Sequence, residues 1–146
     1  MTVSILCKKI RSNAVIPIYA SKGAAGADLY ACLESPLTIP PYSRSLIPTG
    51  LILEIPMGYE GQVRPRSGNA LHKGITVLNA PGTIDCDYRG EIKVILYNSS
   101  DKSVIIEQGD RIAQLIIAPV LQASFIETDC LSETERHIGG FGSTGT

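Results

Sequence analysis

The chain lacks a surplus of either charge: 13 Lys+Arg stand against 14 Asp+Glu in 146 residues, a net charge of −1. That balance excludes the basic field on which general nucleic-acid binding depends, so no direct nucleic-acid partner is expected. No apolar run approaches the roughly 18 residues of a membrane span. The opening Met1-Thr2-Val3-Ser4-Ile5-Leu6-Cys7-Lys8-Lys9 puts lysines after a short apolar stretch, the reverse of a secretory signal, and a cytoplasmic location is expected. Tryptophan is absent and histidine occurs twice. Cys7, Cys32, Cys86 and Cys130 are scattered, with no C-x-x-C pair and no histidine at ligand spacing. They read as reduced packing residues, not as a disulfide frame or a zinc site.

What is present describes a folded domain. At 44% hydrophobic and 18% charged residues, the composition is neither disordered nor collagen-like. Leu51-Ile52-Leu53-Glu54-Ile55 ends at Pro56-Met57-Gly58. In Glu91 to Tyr97, Ile92, Val94 and Leu96 share one face, with Glu91 and Lys93 opposite. Val104-Ile105-Ile106 stops at Gln108-Gly109-Asp110, and Arg111 to Ile117 runs on until Pro119. Short strands punctuated by turn residues about every ten positions predict a sandwich or barrel. Pro36, Pro40-Pro41 and Pro48 confine their neighbours to edges and turns. One short helix is expected from Ser67, as cap, to the C-capping Gly74.

Three stretches carry candidate chemistry. Arg66-Ser67-Gly68 sets a fixed positive charge, a hydroxyl and an uncrowded amide at a helix start, a phosphate cradle in form, although serine caps are common. Gly82 to Gly90 places Asp85 and Tyr88 in what reads as a hairpin connection. Asp85 is a candidate to deprotonate a water and Tyr88 to pack on a ring, against the commoner role of aspartate in turns. Gly139 to Gly145 has Phe141 inside a glycine tract, where an aromatic needs something to dock on; the glycine amides with Ser143 and Thr144 form a potential phosphate nest. Gln114 is either a ligand contact or the solvent-facing position of its strand. Neither His72 nor His137 joins a catalytic constellation.

Taken in order, five segments resemble the five motifs of the trimeric all-β dUTPases. They are Ala25 to Ala31, Pro65 to Gly68, Asn79 to Gly90 continuing to Lys93, Gly109 to Leu115, and Arg136 to Gly145. The resemblance implies an all-β, distorted jelly-roll or β-barrel (β-clip-like) fold with one short helix and a flexible C-terminal tail. Residues 1–135 would form the barrel domain and 136–146 its glycine-rich lid. It implies hydrolysis of dUTP to dUMP and pyrophosphate by water attack on the α-phosphorus, with Mg²⁺ as cofactor and a homotrimer with shared active sites.

Residue by residue, the resemblance implies that Asp85 activates the water. Asn79 and the backbone of Thr83, Ile84 and Lys93 would hold uracil, and Tyr88 would stack beneath deoxyribose. Arg66, Ser67, Gly68 and Gln114 would contact phosphates. Phe141 would cover uracil, while Arg136, Gly142, Ser143 and Thr144 would close over the nucleotide and its γ-phosphate. Asp28 would be a supporting acid, and Asp110 and Arg111 structural. No side chain is expected as a direct Mg²⁺ ligand, since Mg²⁺ keeps waters and takes substrate oxygens. One departure stands out: the family commonly has glycine after the fifth-motif arginine, where this chain has His137-Ile138. A dCTP deaminase, or a bifunctional deaminase–diphosphatase, is the nearest alternative; a non-catalytic nucleotide-sensing β domain is another.

Overall fold

The computed structural model describes residues 2–140. Phe141, Gly142, Ser143 and Thr144 lie outside the described residues. Among the described residues, twelve strands and one helix follow in order. The strands are β1 (Leu6–Lys9), β2 (Ile18–Tyr19), β3 (Ala27–Tyr30), β4 (Leu37–Ile39), β5 (Arg44–Pro48), β6 (Leu51–Glu54) and β7 (Tyr59–Arg64). After helix α1 (Ser67–Lys73) come β8 (Ile75–Val77), β9 (Gly82–Ile84), β10 (Lys93–Asn98), β11 (Val104–Ile106) and β12 (Arg111–Pro119). The strands form a five-stranded sheet ordered β2-β3-β12-β7-β9, a three-stranded sheet β5-β10-β8, and the pairs β1-β6 and β11-β4. Every pairing is antiparallel. The arrangement is the jelly-roll-like all-β architecture expected.

Alternation builds the core as period-2 patterning requires. Val94 and Leu96 of β10 point inward with Ile92 just before them, and meet Leu29, Ile39, Ile47, Leu53, Val63, Ile112 and Leu115. Asn98 is the polar exception inside. Its Nδ2 donates to the carbonyls of Ile39 (3.1 Å), Pro40 (3.1 Å) and Lys102 (2.7 Å), while its Oδ1 accepts from Ser100. The side chain thus satisfies the strand ends that the prolines leave bare.

One irregularity positions the site. On β12, Arg111 pairs with Tyr30 and Ala113 with Leu29, so Ile112 is an extra residue in the ladder. Without that bulge, Arg111 would lie three positions from Gln114 and on the opposite face. With it, Arg111 and Gln114 share the face of Asp28, and both Ile112 and Ala113 turn into the core. Among the described residues no helix is long and apolar enough to cross a membrane.

The four cysteines are free. Cys32 is buried, and Cys7 and Cys86 are half-buried, in keeping with packing roles; Cys130 is exposed and packs nothing, which corrects the sequence reading for that residue. Burial pushes the Cys7 and Cys32 thiols up from their ordinary range.

Candidate active site

Asp28 is buried on β3, directly opposite Gln114 on β12. Its Oδ1 lies 2.9 Å from Arg66 Nε and its Oδ2 3.4 Å from Arg111 Nη1. One carboxylate between two guanidiniums leaves a surplus positive charge facing solvent. Arg111, expected to be structural, joins this cluster through its ion pair with Asp28, and no sequence signal marks the bulge that brings it there.

Arg66 itself is the N-cap residue of α1, extended at φ −94° and ψ 129°, and no side chain caps the helix. The expected serine cap is not formed: Ser67 is the first helical residue and Arg66 holds the N-cap position. Gly74 closes the helix in the left-handed region at φ 64°, as expected. Gln114 Nε2 donates to the Pro65 carbonyl at 3.0 Å. A Cβ on Gly26 would stand 2.6 Å from Gln114 Oε1, so the glycine makes room for this side chain. A Cβ on Gly68, by contrast, would meet nothing within 4 Å. Nothing in the chain itself demands glycine there.

The second cluster lies past β9. A cavity of about 380 Å³ is lined by Leu46, Thr83, Ile84, Asp85, Tyr88, Glu91, Ile92 and Lys93. The expected hairpin is not one. β9 pairs with β7 in the five-stranded sheet, whereas β10 pairs with β5 and β8 in the other, so the loop 85–92 bridges two sheets. The turn residues are those of a hairpin, but each flanking strand has better-placed partners. Tyr88 N–H donates to the Asp85 carbonyl at 3.1 Å, and Tyr88 OH donates to the Glu91 carbonyl at 3.2 Å. The Tyr88 ring lies against Gly90, where any Cβ would collide with it.

The far end of the loop is pinned to the turn between β5 and β6. Gly50 N–H donates to Glu91 Oε1 at 3.0 Å, and Thr49 Oγ1 donates to the Ile92 carbonyl at 2.7 Å. Glu91, not singled out from the sequence, is a wall of the cavity and pairs Lys93 Nζ at 3.5 Å. Asn79 is exposed at the other end of β9 and is not among the residues lining this cavity; a Cβ on Gly82 would sit 3.2 Å from its Nδ2.

Register relates the two clusters. Asp28, Gln114 and Arg64 form a lateral row across β3, β12 and β7. Gln62, two residues from Arg64, lies on the same face and opposite Thr83 of β9. Asp28 and the start of the Asp85 loop therefore occupy one face of the five-stranded sheet, separated by three strand spacings of about 4.8 Å each and a two-residue offset.

Arg136 is apart from both. Regular structure ends at Pro119, and Val120 N–H donates to the Gly58 carbonyl at 2.9 Å. Among the described residues beyond it, no hydrogen bond or ion pair reaches the barrel. Arg136 Nε donates to the Gly139 carbonyl at 2.9 Å within a local turn. His137, where the family commonly has glycine, adopts φ 45°, a conformation that suits glycine better. Asp110 closes its own turn, its Oδ2 accepting from Glu107 N–H at 3.0 Å.

No group of three or more His, Cys, Asp or Glu that could hold a metal is found among the described residues. Both oxygens of Asp28 are already engaged by arginines. The donor set fits a divalent ion that arrives on an anionic ligand better than one held in a protein cage.

A family model described as dUTPase matches residues 12–145. The chain belongs to the dUTPase family. It is 58% identical over 143 residues to the deoxyuridine 5'-triphosphate nucleotidohydrolase of Hydrogenobaculum sp., spanning 98% of this chain and 99% of that protein. The protein of the same name from Aquifex aeolicus is 63% identical over 131 residues, spanning 90% and 87%. Among solved structures, the dUTPase of Staphylococcus bacteriophage 80alpha with dUPNHPP superposes with a TM-score of 0.89 at 26% identity, over 99% of this chain and 100% of that one. Residues of the first four motif-like segments, Asp28 of the first among them, make up the two clusters just described.

Proposed function

We propose that the chain hydrolyses dUTP to dUMP and pyrophosphate, with Asp85 as the base. The observation that carries this reading is that Asp85 and Tyr88 line one cavity between two sheets, together with Thr83 and Ile84 from the end of β9 and Lys93 from the start of β10. A carboxylate at that mouth takes a proton from water as the water oxygen bonds to the α-phosphorus. The bond to the bridging oxygen breaks, and pyrophosphate leaves with that electron pair. General-base help of this kind is worth about 10²–10⁴ in rate. The remainder comes from positioning and charge.

Asn79 and the backbone of Thr83, Ile84 and Lys93 bind uracil. A pocket of fixed polar groups rejects cytosine by leaving them unpaired. Tyr88 lies beneath the deoxyribose and leaves no room for a 2′-hydroxyl. Arg66, Ser67, Gly68 and Gln114 grip the phosphates. The open space over Gly68 supports this, since a bound phosphate is a reason for glycine that the chain alone does not supply. Asp28 supports by aiming Arg66. Phe141, Gly142, Ser143 and Thr144, with Arg136, close the nucleotide in. The triphosphate oxygens gripped by Arg66, Ser67 and Gly68 would hold Mg²⁺, which would supply neutralisation of their charge.

The active form is a homotrimer that shares its sites, residues 1–135 forming each barrel and 136–146 a lid for a neighbour. Support comes from Leu121, Phe125 and Ile126, which stand almost wholly exposed beyond the last strand. A groove of about 830 Å³ lined in part by Val3, Ile5, Ile16, Tyr59 and Ile117 offers apolar surface for another copy's segment. The reaction takes place in the cytoplasm.

The decisive experiment is a product assay on purified protein with dUTP, dCTP, dTTP and UTP, with and without Mg²⁺. Pyrophosphate and dUMP from dUTP alone, without ammonia, are expected. Ammonia from dCTP would establish a deaminase instead, and binding without product would establish a sensing domain.

A further inference from the structure

Helix α1 cannot hold itself in place. It has seven residues, none of them buried, no side-chain cap and no acidic residue in its first turn. Isolated helices of that length do not persist in water. Its first three positions, Ser67, Gly68 and Asn69, are poor helix formers. Its place must come from outside contacts: the ion pair of the N-cap Arg66 with Asp28 and three hydrogen-bonded contacts. Gln114 Nε2 holds the Pro65 carbonyl just before it, at 3.0 Å. Ser99 N–H and Oγ both donate to the Gly74 carbonyl just after it, at 2.8 Å each. Between these, Asn69 Nδ2 donates to the Arg111 carbonyl at 2.9 Å.

The third contact differs from the others because of where it lands. The Arg111 carbonyl borders the bulged Ile112, and the Arg111 side chain reaches Asp28. Asp28 in turn holds Arg66, the residue that opens the helix. The connections close into a ring: Asn69 to the Arg111 backbone, Arg111 to Asp28, Asp28 to Arg66, and Arg66 along the helix to Asn69. A ring fixes both the position and the rotation of a two-turn helix, where end contacts alone leave it free to roll.

We propose that Asn69 is a positioning residue for phosphate binding: its bond to the bulge carbonyl holds Arg66, Ser67 and Gly68 in the orientation that meets the triphosphate. This rests on the reading above that those three residues grip phosphates. Asparagine is a weaker helix former than leucine or alanine, so its presence at the third helical position runs against local preference and answers to the carbonyl.

The test uses Asn69→Leu and Asn69→Ala in the full-length protein. Both raise intrinsic helix propensity, so a residue that served only the helix would show amide hydrogen exchange at 67–73 slowed or unchanged. The ring predicts faster exchange there, with exchange in β10 and β12 and the melting temperature unaltered. In the same variants KM for dUTP should rise about fivefold, the factor one neutral hydrogen bond is worth, with little change in kcat. Inhibition by deoxyuridine, which carries no phosphate, should be unchanged. Slower or unchanged exchange at 67–73, an unchanged KM, or equal weakening of deoxyuridine would each overturn the proposal. Failure of the unmodified protein to hydrolyse dUTP would instead refute the functional reading, and the exchange measurement would still test the ring.

Discussion

The loop 85–92 and the segment 120–140 both carry residues assigned to the site, yet their attachment is opposite. The loop bridges two sheets and is fastened at its far end by Gly50 and Thr49 through Glu91 and Ile92. The C-terminal segment makes its last bond to the barrel at Val120, and its described residues otherwise bond only to one another. A group that must meet a reacting atom within a few tenths of an ångström belongs on the first kind of support. A group that must admit substrate and then cover it belongs on the second. The proposed division of labour agrees with how each backbone is tied.

The largest test falls on the tied loop. Asp85→Asn keeps the shape of the side chain and removes the base; turnover should fall about 10²–10⁴-fold while dUTP binding persists. Near-normal turnover would show that precise support there serves something other than proton transfer. Next, deletion of residues 136–146 should leave a folded trimer with little activity, measured by sedimentation and product release together. Full activity in the shortened chain would end the assignment of a lid.

A smaller effect is expected from Tyr88→Ala. The Tyr88 ring lies against Gly90 with its hydroxyl on the Glu91 carbonyl, so its loss opens the cavity floor. Discrimination against UTP should erode by about tenfold, a factor typical of steric exclusion in a pocket. Unchanged preference for the deoxy sugar would assign that selectivity elsewhere.

The smallest effect compares thiols. Cys130 in the free segment should alkylate first in the native protein and Cys32 last, read by mass spectrometry of partially labelled protein. Because burial raises the Cys7 and Cys32 thiols, the folded chain keeps protons that the unfolded chain loses. Their contribution to stability is therefore complete below the ordinary thiol range near pH 8.5 and declines as pH rises through the raised folded values. Rising stability above that range would contradict the sign.

Much of this was readable in the order of residues. The alternation of Ile92, Val94 and Leu96 gives the inward face of β10, and Gly74 sits where a left-handed helix end requires it. The runs at 104–106 and 111–119 are strands. Motif resemblance selected Asp85, Tyr88 and Arg66. It missed Asn69 and Glu91, whose roles depend on partners 42 and 41 residues away, Arg111 and Gly50. It misread the loop after β9 as a hairpin because turn chemistry is local, while the choice of strand partner is not.

Residue order alone therefore determined strand faces, turn positions and the chemical kinds of group on offer, since these depend on side-chain period and backbone preference within a few residues. Tertiary structure decided which groups meet. A single extra residue at Ile112 moved Arg111 to the face of Asp28, and with it the charge that surrounds the helix start. The parity of a strand is a property of its pairing with a neighbour, and the neighbour here lies some eighty positions away in the chain, Arg111 bonding Asp28 across a separation of 83.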